Sequence, residues 1–134
     1  MDEVREFEAA KTLRKANFLH EAAAGFQKLM EQREIRFGQD ATCLDYMDHR
    51  NECLVQLCEF GQAENSYRSS LDRWKILGGQ RSINQIAHLR LKIAKCIAWQ
   101  FESLDPDDAE KVLTADTKRR YHECVELLEQ AIEE

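Results

Sequence analysis

The sequence predicts an all-α protein, an α-solenoid built from about three antiparallel helix-turn-helix hairpins. Three observations carry that expectation. First, Leu19, Ala22, Phe26 and Met30 stand at offsets 0, +3, +7 and +11, and the same offsets return as Phe60, Ala63, Tyr67, Leu71 and as Tyr121, Cys124, Leu128, Ile132. This is the spacing of one helix face, and the small residue at its second position admits a close neighbour. Second, one Pro and five Gly are too few to punctuate a multi-stranded sheet. Third, charged residues make up 33% of the chain, which suits long helices with solvated faces.

A first helix is expected over about 2–16, with apolar positions at Val4, Phe7, Ala10 and Leu13 and a break at Asn17. The second runs to Phe37 and stops at Gly38, a residue that ends helices cheaply because the terminating position is commonly left-handed. After a polar link over 39–42, Leu44, Met47, Leu54, Leu57 and Cys58 mark a third helix, and 59–62 mark the next bend. A fourth, over about 62–77, ends at Gly78-Gly79. Ser82 is placed to cap a fifth that continues through Ile86, Leu89, Ile93, Ile97 and Phe101. Residues 103–117 then interrupt the pattern before a last helix from about Asp116, and Asp105-Pro106 inside this insertion reads as the start of a short helix.

The pairs Phe26/Tyr67, Ile35/Ile76, Gly38/Gly79 and Gln39/Gln80 all lie 41 residues apart. One duplicated unit explains all four, and the units run over about 2–38, 43–79 and 82–134 in a single domain. The strings Leu19-His-Glu-Ala-Ala-Ala-Gly-Phe26, Phe60-Gly-Gln-Ala-Glu-Asn-Ser-Tyr67 and Tyr121-His-Glu-Cys-Val-Glu-Leu-Leu128 resemble the aromatic-x-x-Ala-x-x-x-aromatic signature of tetratricopeptide repeats. The spacing resembles the longer-helix, kinesin-light-chain-like members of that family. The chain departs from the pattern at Asn51, where the first helix normally brings a small residue, and such an Asn needs a hydrogen-bond partner if buried. Cys124 in place of Ala is a mild change. No trailing solvating helix is expected, so the last helix is expected to expose apolar residues such as Leu127 or Ile132, either because a longer parent protein was trimmed or because another molecule covers that end.

The resemblance implies that the first helices of the units line a concave surface. Their outward faces carry Val4, Phe7, Lys11 and Arg14, then Asp45, Asp48, Glu52 and Val55, then His88, Lys95 and Trp99. Charge changes from basic to acidic to basic across this groove. The family's clamp for terminal carboxylates would carry over only Lys11 and Lys95, and Glu52 stands where an incoming carboxylate is repelled. A segment with a basic or amidic centre is the better match. The bland alternative is that these charges merely solvate exposed faces. Trp99 lies in a polar stripe with Gln85, His88, Lys92, Lys95 and Glu102, and wants cover from the insertion or from a partner. Trp74 extends the stripe of the fourth helix and reads as core.

A net charge of −6 offers no general attraction to phosphate backbones or anionic lipid, so neither nucleic acid nor membrane is an expected partner. No leader-like or membrane-spanning apolar run is present, and five cysteines without close pairing fit reduced thiols, so a cytoplasmic location is expected. No metal or cofactor is expected: His49/Cys53 and His122/Cys124 lack further ligands, and Asp105, Asp107, Asp108 and Glu110 lack the Gly and distal Glu of a calcium loop. No phosphate-binding glycine loop or nucleophile elbow is present. The expected function is therefore a protein interaction module, an adaptor or scaffold holding a polypeptide segment, and not an enzyme. The alternative is an assembly subunit that self-associates through its last helix.

Overall fold

The computed structural model describes residues 3–102 and 115–133, and among these it contains six α-helices and no strand. They are α1 (Glu3–Lys15), α2 (Leu19–Phe37), α3 (Ala41–Gln56), α4 (Phe60–Leu77), α5 (Gln80–Glu102) and α6 (Ala115–Glu133). Of the insertion over 103–117, residues 103–114 lie outside the described residues, and 115–117 already belong to α6. Each helix packs on its neighbour in sequence, α1 on α2 through to α5 on α6. From α1 to α5 short links force this arrangement, because a helix with an apolar stripe and only a few residues of connection has nowhere else to bury it.

The recurrence at 41 residues extends to the backbone. At the end of α1, Ala16, Asn17 and Phe18 donate to the carbonyls of Thr12, Arg14 and Leu13. At the end of α3, Leu57, Cys58 and Glu59 donate to those of Cys53, Val55 and Leu54, each bond displaced by the same 41 residues. Both turns hinge on a non-glycine residue with positive φ, Asn17 at 70° and Cys58 at 62°. Asn tolerates that conformation better than Cys because its short amide can satisfy local backbone groups.

The structure corrects several expected boundaries. Asp40 is not a mere linker residue: it is the N-cap of α3, its Oδ1 accepting from the Cys43 N–H at 2.9 Å, so Ala41 and Thr42 are helical. The bend before α4 falls at Leu57–Glu59 and the helix starts at Phe60. Ser82 lies inside α5, where its Oγ donates to the Gly78 carbonyl at 2.7 Å instead of capping the helix. Gly38 (φ 72°, ψ −163°) and Gly78 (φ 71°, ψ −176°) are not left-handed helical but adopt a mirror-extended conformation that only glycine enters readily.

The stripes form the core. Ala22, Phe26, Ala63, Tyr67 and Trp74 are fully or almost fully buried, joined by Leu29, Leu44, Leu89, Ile93 and Ile97. Burying side chains of this size stabilises by roughly 1.5–3 kcal/mol each before entropy is counted. The Cβ of Ala10 lies 3.3 Å from the position a Gly25 side chain would occupy, so α1 and α2 meet with almost no side chain between them. Asn51 is fully buried and neither of its amide atoms has a partner among the described residues, at a cost of about 1–3 kcal/mol.

A buried acid ties α6 to the body. The Glu64 carboxylate, 4% exposed, accepts from Arg68 Nε at 2.9 Å, from Gln100 Nε2 at 2.7 Å and from Arg120 Nη2. Burial opposes its ionisation, but these donors hold its carboxyl below the usual range. A lowered acid contributes stability above its unfolded pKa that is lost as pH falls through its folded one. Glu64→Ala is therefore expected to lower stability at neutral pH by about 2 kcal/mol, read by denaturant unfolding, with the deficit shrinking in acid. Cys58→Asn, which copies the first unit's Asn17, is expected to raise it by about 0.5 kcal/mol, read as a higher Tm.

Candidate functional site

On α3, Asp45, Asp48 and Glu52 stand at i, i+3 and i+7 and so share one face. That face opens on a cleft of about 240 Å³ lined by Arg14 of α1, the three acids and His49 of α3, Tyr67 of α4, and Gln85, His88 and Leu89 of α5. Helix packing alone brings these residues together, since α3 sits between α2 and α4 in contact order and both α1 and α5 reach it through side chains.

The three acids have different surroundings. Asp45 is paired with Arg81 at the start of α5. Glu52 accepts from Lys92 Nζ at 3.0 Å and from the Tyr67 hydroxyl at 3.0 Å. Between them, Asp48 accepts from Ser70 Oγ at 2.8 Å and from Trp74 Nε1 at 3.4 Å, both on α4, and has no ion-pair partner among the described residues. Burial works against ionisation of Glu52, but Lys92 and the Tyr67 hydroxyl hold its carboxyl below the usual range. Asp48 behaves oppositely. Burial, with the charges of Asp45 and Glu52 beside it, outweighs the two hydrogen bonds and pushes its carboxyl up to about 6. Tyr67 is pushed up, by burial first and then by Glu52.

His49 forms the floor towards α1 and α2. Its ring stacks on Phe26 at 5.2 Å and meets the edge of Phe7 at 5.1 Å. Burial and the cations Arg14 and Lys11 lower its pKa, so the ring is neutral at physiological pH.

Of the nine residues expected to meet a partner, the cleft gathers Arg14, Asp45, Asp48, Glu52 and His88. The other four do not line it. Phe7 packs among Phe26, Tyr46 and His49, and Lys11 lies 4.8 Å over the Phe7 ring while pairing with Glu8 at 3.1 Å. Lys95 is exposed and does not line the cleft. Trp99 rests on Phe60 at 5.1 Å, at the beginning of α4, so its cover comes in part from the preceding unit. Sequence reasoning weighed His49 only as a metal ligand and assigned Tyr67 only to the core. The displacement of about one repeat between Glu52 and Lys92 is the signal that would have paired α3 with α5.

A larger cleft, about 590 Å³, lies between α4 and α6 and is lined by Glu64, Asn65, Arg68, Arg119, Arg120, His122, Glu123 and Glu126. Its central charges are already matched: Arg68 pairs with Glu64 and with Glu123 at 2.8 Å, and Arg120 with Glu64. It fastens α6 and leaves less for a ligand to satisfy. Among the described residues no group of three His, Cys, Asp or Glu side chains is placed to hold a metal ion, and no helix is long and apolar enough to cross a membrane. Comparison with family models, with curated proteins and with solved structures finds no match for the chain.

Because the folded pKa of Asp48 lies above its unfolded value, the native state holds the extra proton between about pH 4 and 6. This group's contribution to stability therefore falls as pH rises through that window. Asp48→Asn is expected to raise stability at pH 7 by on the order of 1–2 kcal/mol and to leave it unchanged near pH 4, measured by thermal melts across pH.

Proposed function

We propose that the protein is an interaction module, a tetratricopeptide-like solenoid of three hairpins, α1–α2, α3–α4 and α5–α6, that holds a partner polypeptide in the cleft over α3. The observation that carries this reading is Asp48, a largely buried carboxylate with no ion-pair partner among the described residues, set between two acids that have theirs. A charge kept in a poorly solvated place costs stability, and a partner's Lys or Arg supplies what the fold leaves out. The backbone bonds repeated at a spacing of 41 residues support the repeat assignment. An adaptor or scaffold role in the cytoplasm accords with this reading, and catalysis has no constellation to recommend it.

Affinity capture followed by synthetic peptides tests it. The wild-type protein is expected to retain a segment centred on Lys or Arg, and changing that residue to Ala is expected to abolish retention. Asp48→Asn is expected to weaken binding by about tenfold while the protein melts higher, the combination expected of a residue kept for function against stability. Affinity is also expected to fall as pH drops from 7 to 5, because Asp48 takes up its proton across that range. Binding indifferent to both Asp48→Asn and Glu52→Lys would remove the cleft from consideration.

A further inference from the structure

The stripe of α6 differs in exposure from those of α2 and α4. The stripe positions occupied by Phe26 in α2 and Tyr67 in α4 are 0% and 1% exposed, because α3 and α5 follow and cover them. The third copy of that position is Leu128, which is 37% exposed. The first stripe position behaves alike: Leu19 is 9% exposed and Phe60 half-buried, but Tyr121 is 60% exposed. Between them on the same face stands Val125, half-buried. The other side of α6 is satisfied, with Cys124 donating to the Ala94 carbonyl at 3.3 Å on α5, and with Arg120 and Glu123 taken by Glu64 and Arg68 on α4.

The charges beside this face are arranged by sign. Lys118, Arg119 and Arg120 stand in the first half of α6, after Asp116, and Glu123, Glu126 and Glu129 follow. Arg120 and Glu123 are engaged with α4, but Lys118 and Glu129 are exposed and border the apolar face at its two ends, eleven residues and three turns apart. An antiparallel copy of the same helix satisfies all of this at once. It sets Tyr121 of each copy against Leu128 of the other, closes around Val125, and places each Lys118 beside the other copy's Glu129. It also lays the negative end of one helix dipole along the positive end of its neighbour. A contact in which residue i meets j and j meets i is the isologous geometry of a two-fold dimer.

We propose that a second copy of this chain packs antiparallel on α6, forming a two-fold dimer through Tyr121, Val125 and Leu128 with reciprocal Lys118–Glu129 pairs at its rim. This contact is separate from the cleft over α3 and stands whether or not that cleft binds a peptide.

Sedimentation equilibrium of the whole chain over an about hundredfold concentration range is the primary test, since mass action then moves the dimer fraction. A mass that rises from monomer to dimer is expected, and a monomer throughout overturns the proposal. Leu128→Asp is expected to abolish the dimer with helical content unchanged. The charges give a second reading that does not depend on that variant folding. Lys118→Glu and Glu129→Lys are each expected to weaken association by about tenfold, and K118E/E129K to restore it. In a parallel pairing Lys118 would face Lys118, so the single exchanges would not weaken it. A dimer unmoved by Leu128→Asp and by both charge exchanges lies on another surface, and a complex seen only with a different protein's helix assigns the face to that partner; either result overturns the proposal.

Discussion

The close approach of consecutive helices at small side chains is the constraint from which the remaining packing follows. Ala10, Ala22, Ala63, Ala94 and Cys124 are all 8% exposed or less, and at the α1–α2 crossing the separation leaves only 3.3 Å to a side chain that Gly25 does not have. When two helices come this near, their larger side chains cannot lie between the axes and must interdigitate on either side. Phe26, Tyr67 and Trp74 are the largest of the fully buried side chains. Asn51 occupies an equivalent place in α3 and pays for its position with an amide that no described residue satisfies.

The same closeness decides where charge can go. With α4 tight against α3, Asp48 is drawn in until Ser70 and Trp74 donate to it, and the proximity of Asp45 and Glu52 then makes its ionisation expensive. Glu64 is buried more completely yet lies below the usual range, because Arg68, Gln100 and Arg120 surround it. The contrast between these two carboxylates separates a charge that serves the fold from one the fold leaves uncompensated. The proposed ligand and the proposed dimer share this logic: in both, a second molecule supplies a contact that the repeat provides internally elsewhere.

Much of the architecture was legible in the sequence, and particular residues show why. Helix ends at Asn17, Phe37 and Leu77 were recovered because they depend on backbone conformations that few residues adopt. The starts of α3, α4 and α5 were misplaced, since Asp40, Phe60 and Ser82 could each serve in a helix or before it and only the hydrogen bonds distinguish the cases. The candidate site was half legible. The acids of α3 could be placed on one face by spacing alone, but Phe7, Lys11, Lys95 and Trp99 were assigned to the same groove because a register defines a direction and not a depth.

By itself the sequence determined the helices, their stripes and the recurrence of residues at a spacing of 41, because each rests on local spacing and on the φ/ψ range of the residues concerned. Only the tertiary structure decided which charges are matched. Arg81, Lys92 and Arg120 reach acids 36, 40 and 56 residues away, and no local pattern encodes that pairing. Ionisation energy depends on how much water and which counter-charges surround a carboxylate, quantities that come into being when α3, α4 and α5 close on one another. That closure gives Asp48 no ion-pair partner among the described residues and leaves Leu128 37% exposed.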